Sequence, residues 1–139
     1  MFHNYKNAIV PDSIESTYTG LHLNEKYEEN DFLQMIADFR SNKMIHAKYA
    51  LQIIQDALKL FKTYSNIEQC NLGTSSLPAV VIVGDLHGSF KDLDHIILKY
   101  GIPGKNFRFV FNGDFVDRGP KQSEVLLTLL YAFLLYPNR

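Results

Sequence analysis

The chain has 139 residues, a length that fits one small domain or a piece of a larger one. Its apolar share of 46%, with ten Phe and eight Tyr, is enough to fill an aromatic-rich core. A net charge of −1 with no block of like charge argues against a nucleic-acid partner, and the lone Cys70 excludes an internal disulfide.

Residues 1–30 are polar, with scattered Tyr and Leu and no sustained period, and read as an extended or poorly ordered lead-in. They contain no apolar signal core. Asp31 reads as the N-cap of a short helix over 32–40, with Phe32, Leu33, Ile36 and Phe39 on one side. Ser41-Asn42 breaks it. A second helix is predicted over 43–64, its inward stripe being His46, Ala50, Ile53, Ile54, Ala57, Leu58 and Phe61. Its basic character is too weak for a calmodulin target, so it reads as a packing helix. Cys70 has no cationic neighbour to activate it and reads as a half-buried filler. Residues 71–78, rich in Gly, Ser and Pro, form a linker.

The pattern then changes. Ala79-Val80-Val81-Ile82-Val83 is the continuous β-branched run of a strand buried on both faces. A helix follows over 90–100, with Gly101 as its C-cap. Residues 107–111 make a second strand, and an apolar helix runs from about Ser123 to Tyr136, where Pro137 stops it. Its apolar core, 125–135, is shorter than the about 20 residues needed to span a bilayer. These features suggest a soluble protein of a reducing compartment, cytoplasmic and also nuclear, with no membrane partner. The order strand, helix, strand, helix predicts an α/β (α+β) arrangement, N-terminal helices leading into a βαβα unit with parallel strands.

Each strand ends in a short motif, Gly84-Asp85-Leu86-His87-Gly88 and Gly113-Asp114-Phe115-Val116-Asp117-Arg118-Gly119. Sites in such folds form at the carboxyl ends of strands. Asp85 and His87, one residue apart, offer a carboxylate and an imidazole to one cation. That pairing suits manganese, iron or zinc better than calcium. Gly84 and Gly88 permit a tight turn, and a Cβ at either position would crowd a metal or phosphate. Neighbouring parallel strands lie about 4.8 Å apart, so Asp114 can reach the same centre. It is placed to bridge two cations about 3.5–4 Å apart, which would polarise phosphoryl oxygens and activate water. Arg118 has the planar fork that grips phosphate. Asp117 stands behind the ligands, suited to accept a hydrogen bond from a histidine elsewhere. Asn112 is expected to satisfy strand-end backbone groups. His3, His22 and His95 read as structural or solvated, and His46 as a partly buried helix histidine.

The motif pair GDLHG and GDFVDRG resembles the phosphoprotein phosphatase family of metal-dependent Ser/Thr protein phosphatases. The likeness covers roughly 31–139, and Asn112-to-Gly119 together with His46-Ala47-Lys48-Tyr49 is most similar to the subgroup with EF-hands. The resemblance implies a calcineurin-like metallophosphoesterase β-sandwich flanked by helices, present here as its N-terminal portion. It implies that Asp85 and His87 bind the first of two metal ions, that Asp114 bridges both, and that Arg118 binds phosphate. Asp117 would support a general-acid histidine. That histidine belongs to a GNHE motif expected beyond Arg139, as do further metal ligands and a second phosphate-binding arginine. The partner implied is a phosphoprotein, hydrolysed by metal-activated water, with calmodulin- or calcium-linked regulation implied by the subgroup alone. No EF-hand loop or calmodulin-binding IQ segment is evident in the sequence. Gln122 stands where members of the family often carry Ser. With three metal-ligating side chains, the isolated chain is expected to be catalytically inactive. Two other readings remain open: a metallophosphoesterase acting on nucleotides or phosphodiesters, and a non-catalytic product acting as an interaction module.

Overall fold

The computed structural model describes residues 11, 13–65, 67 and 79–137. His3, Cys70 and the linker at 71–78 lie outside the described residues. The elements are α1 (Glu29–Arg40), α2 (Ala47–Phe61), β1 (Val80–Val83), α3 (Phe90–Tyr100), β2 (Arg108–Phe111) and α4 (Gln122–Leu135). β1 and β2 pair in parallel, with Val80 opposite Arg108 and Val83 opposite Phe111. The βαβα unit therefore forms as the sequence predicts.

α4 is the hub. Its sequence is apolar nearly all round, which suits a helix covered on several sides. α1, α2 and α3 all pack against it. Val125, Thr128 and Tyr131 have no exposed surface. Around them lie Phe32, Met35, Ile36 and Phe39 from α1, Ile53 from α2, and Leu93 and Ile97 from α3.

Several local expectations are corrected. α1 begins at Glu29, so Asp31 lies in its first turn, and Glu28 precedes the helix without a side-chain cap. A distant group holds the residue before the helix instead: the Tyr131 hydroxyl accepts from the Glu28 N–H and donates to the Glu28 carbonyl. Leu33 is exposed, and Met35 takes the inward place. α2 begins at Ala47, because His46 is its N-cap, accepting from the Lys48 N–H through Nδ1. The inward stripe of α2 is narrower than its periodicity suggests. Ile53 and Ala57 are buried with Tyr49, whereas Ile54, Leu58 and Phe61 remain substantially exposed.

The described part of the lead-in is held in place. Leu21 is buried, and its N–H donates to Asp38 Oδ2. The Tyr18 hydroxyl donates to the Leu21 carbonyl and accepts from the His46 N–H. Nε2 of buried His46 lies 2.9 Å from Glu15 Oε2. Polar side chains of this stretch thus have partners on α1 and at the start of α2.

β1 is not buried on both faces. Val81, Val83, Phe109 and Phe111 turn toward the helices, but Ile82 is 77% exposed and its neighbour across the ladder, Val110, is 40% exposed. Among the described residues, helices cover one face of the sheet only. No helix of the described residues is long and apolar enough to cross a membrane.

Candidate metal centre

The two motif loops leave the carboxyl ends of β1 and β2 side by side and are stitched together through the backbone. The Leu86 and His87 N–H groups both donate to the Asp114 carbonyl, and the Gly88 N–H donates to the Phe115 carbonyl. In return, the Gly119 N–H donates to the His87 carbonyl at 2.7 Å. At the strand end the Asn112 backbone N–H donates to the Val83 carbonyl.

Strain is concentrated here. His87, Asp114, Asp117 and Arg118 all have positive φ, from 46° to 74°. Each such non-glycine conformation costs on the order of 1 kcal/mol and persists only where surrounding bonds impose it. The cross-loop ladder is that constraint. Gly88 also has positive φ, and a Cβ there would press on Gln122 and the Gly119 carbonyl. Its crowding thus comes from protein, while a Cβ at Gly84 would meet open space.

The expected ligands converge. Asp85, His87 and Asp114 each offer a ligand atom, all within 4.8 Å of one another. His87 Nε2 lies 3.6 Å from Asp85 Oδ2, and His87 Nδ1 lies 3.3 Å from Asp114 Oδ1. Two carboxylates and an imidazole at this spacing suit a transition-metal cation. Both carboxylates are half-exposed, so the group opens to solvent.

Arg118 joins them, with Nη2 2.9 Å from His87 Nε2. Asp117 does not touch the triad. Its Oδ1 accepts from the Arg118 N–H, and its Oδ2 lies 3.5 Å from Arg118 Nε. Three carboxylates against one guanidinium leave the cluster net negative, a field that draws cations. Sequence reasoning noted Gln122 only as a departure from a pattern. It in fact bonds to both sides of Arg118: Oε1 accepts from the Asp117 N–H, and Nε2 donates to the Gly119 carbonyl. Nothing in the linear pattern signals that, because a glutamine at a helix start is ordinary.

A parallel strand pair carrying such a triad at its carboxyl end defines the class, and residues 78–137 match the calcineurin-like phosphoesterase family. The chain belongs to the phosphoprotein phosphatase family of Ser/Thr protein phosphatases. Residues 3–68 match the PPP5 TPR repeat region. Among the described residues that region supplies α1 and α2, which pack on α4. The human serine/threonine-protein phosphatase with EF-hands 1 is 38% identical over 136 residues, 97% of this chain and 20% of that one. The Drosophila melanogaster serine/threonine-protein phosphatase rdgC is 42% identical over 99 residues, 71% of this chain and 14% of that one. A solved Saccharomyces cerevisiae protein serine/threonine phosphatase, described as similar to human phosphatase PP5, superposes with a TM-score of 0.72. It is 32% identical, over 80% of this chain and 36% of that chain. The chain thus spans about a fifth of the length of its human relative.

Proposed function

We propose that residues 31–139 are the N-terminal portion of a catalytic domain that hydrolyses phosphoserine and phosphothreonine monoesters. The observation that carries this reading is the convergence of Asp85, His87 and Asp114 within 4.8 Å, with the Arg118 guanidinium against His87. Asp85 and His87 would hold one cation, and Asp114 would be shared with a second. A bound pair of manganese, iron or zinc ions would supply Lewis-acid polarisation of the phosphate and an acidified water. Arg118 would clamp a phosphate oxygen through charge-assisted hydrogen bonds. A bound phosphate dianion would lie between this guanidinium and the cations, where both attract it. Asp117 fixes the backbone and guanidinium of Arg118, and in the whole domain it would also orient a general-acid histidine.

The relatives' names, all Ser/Thr protein phosphatases, favour a phosphoprotein over a nucleotide or diester substrate. Names that include EF-hands support calcium-linked regulation of the whole protein. A single cysteine in 139 residues suits a reducing, cytoplasmic or nuclear setting.

Calorimetric titration of the chain with Mn²⁺ tests the reading. Binding is expected, with Asp114→Asn weakening it at least about tenfold, the lower end of what even groups behind the ligands cost. Equal Mn²⁺ affinity in the two proteins, or none in either, overturns it.

A further inference from the structure

We propose that Gln122 is the positioning residue for Arg118, an amide clamp that sets the guanidinium over the metal-ligand triad. The inference rests on the functional reading above and deepens it. Arg118 sits at the tip of a strained turn, with φ of 74° at Asp117 and 60° at Arg118 itself. Two consecutive left-handed non-glycine residues relax unless bonds from outside oppose them. Within the turn, the Arg118 N–H is held by Asp117 Oδ1, an exposed contact between adjacent residues. From outside, the Gly119 N–H is held by the His87 carbonyl.

The Gly119 N–H also reaches the Asp117 carbonyl and the Lys121 N–H the Gly88 carbonyl, and to these backbone bonds Gln122 adds a side-chain restraint. Its Oε1 accepts from the Asp117 N–H at 3.2 Å, and its Nε2 donates to the Gly119 carbonyl at 3.2 Å. One planar amide thus grips the residue before Arg118 and the residue after it. Its stem lies across the other motif loop as well, since a Cβ at Gly88 would come within 2.8 Å of Gln122 Cγ. Gln122 is the first residue of α4, the helix whose Val125, Thr128 and Tyr131 are wholly buried. The clamp therefore ties an exposed, strained turn to the first residue of a helix whose inner face is wholly buried. A displacement of the guanidinium by about 1 Å is enough to forfeit a bidentate grip on phosphate.

The experiment uses the full chain and Gln122→Met, which keeps the stem over Gly88 and removes both bonds. Amide hydrogen exchange is read first, without ligand. Exchange at Asp117 and Arg118 is expected to rise at least about tenfold, while Leu86 and His87 stay as in the wild type. Unchanged exchange at Asp117 overturns the proposal, as does an equal rise across both loops, which would make Gln122 a general support. With Mn²⁺ present, inorganic phosphate is the probe. Gln122→Met is expected to weaken phosphate binding about tenfold and to leave Mn²⁺ affinity within about twofold. Gln122→Glu, which keeps the acceptor and loses the donor, should fall between. Phosphate affinity unchanged in Gln122→Met but lost in Arg118→Ala overturns the clamp. Absence of Mn²⁺ binding in the wild type instead overturns the functional reading, and the exchange result still decides the clamp.

Discussion

Gly119 has no room for a side chain. A Cβ there would lie 2.2 Å from the His87 carbonyl oxygen and 2.5 Å from the Gly88 carbonyl carbon. Both obstacles are backbone, so neither can swing aside. The close approach is what allows the Gly119 N–H to reach the His87 carbonyl and lock the two loops together. Gly119→Ala is expected to cost about 1–3 kcal/mol in urea unfolding, the usual penalty of overpacking. Mn²⁺ affinity should fall with it, since the same contact positions His87. An alanine variant with wild-type stability and metal binding would show that the loops are not locked in this way. The motif made Asp85, His87, Asp114 and Arg118 legible as candidates, because carboxylate, imidazole and guanidinium point to metal and phosphate chemistry wherever they recur together. It left Gln122 and the reason for Gly119 out of view, because both depend on what the second loop touches.

Among the elements, α4 explains most of the architecture. Its strong apolar content was readable as a helix, and the three other helices of the described residues cover it. The start of α1 was not readable. Asp31 looked like a cap, yet Glu28 precedes the helix and takes its partner from Tyr131, more than 100 positions away in the chain. Burial pushes the Tyr131 hydroxyl up to about 12, extending the range over which it is the neutral donor to the Glu28 carbonyl. Tyr131→Phe keeps the ring and its edge-on contact with Tyr27 and removes both bonds. The expected loss is about 1–2 kcal/mol, with faster amide exchange in the first turn of α1. Exchange unchanged there would mean that the helix start is held by other means. α2 shows the same limit. Its period was correct, but whether Ile54 and Leu58 are covered depends on which neighbours arrive, and among the described residues none buries them.

For the whole molecule, a small polar knot ties distant parts together. Glu29, at the start of α1, takes Lys105 from the loop before β2 and the Tyr136 hydroxyl from the end of α4. The Lys105 hydrogen bond, and then that from Tyr136, hold the Glu29 carboxyl below its usual range. A carboxyl lowered on folding stabilises the fold above its unfolded-state pKa, and that contribution is lost as pH falls through the folded value. Glu29→Gln should therefore be less stable than the wild type at neutral pH, with the gap narrowing as pH falls below the ordinary glutamate range. A constant gap between their unfolding midpoints across that range would refute the linkage. The half-covered sheet also belongs to this scale. The β-branched run of β1 was read as buried on both faces, since such residues usually are, but only the face of Val81 and Val83 meets the helices.

Chain order and residue type were sufficient for the βαβα unit, for its strand-end motifs and for singling out Asp85, His87 and Asp114 as a candidate ligand group. These are local properties, carried by contiguous β-branched residues, glycine punctuation and ligand spacing. Which caps hold the helices, which apolar faces are covered, and how Arg118 is aimed emerged from packing between segments far apart in the chain. Those outcomes turn on complementary surfaces and on hydrogen bonds whose two partners share no sequence window.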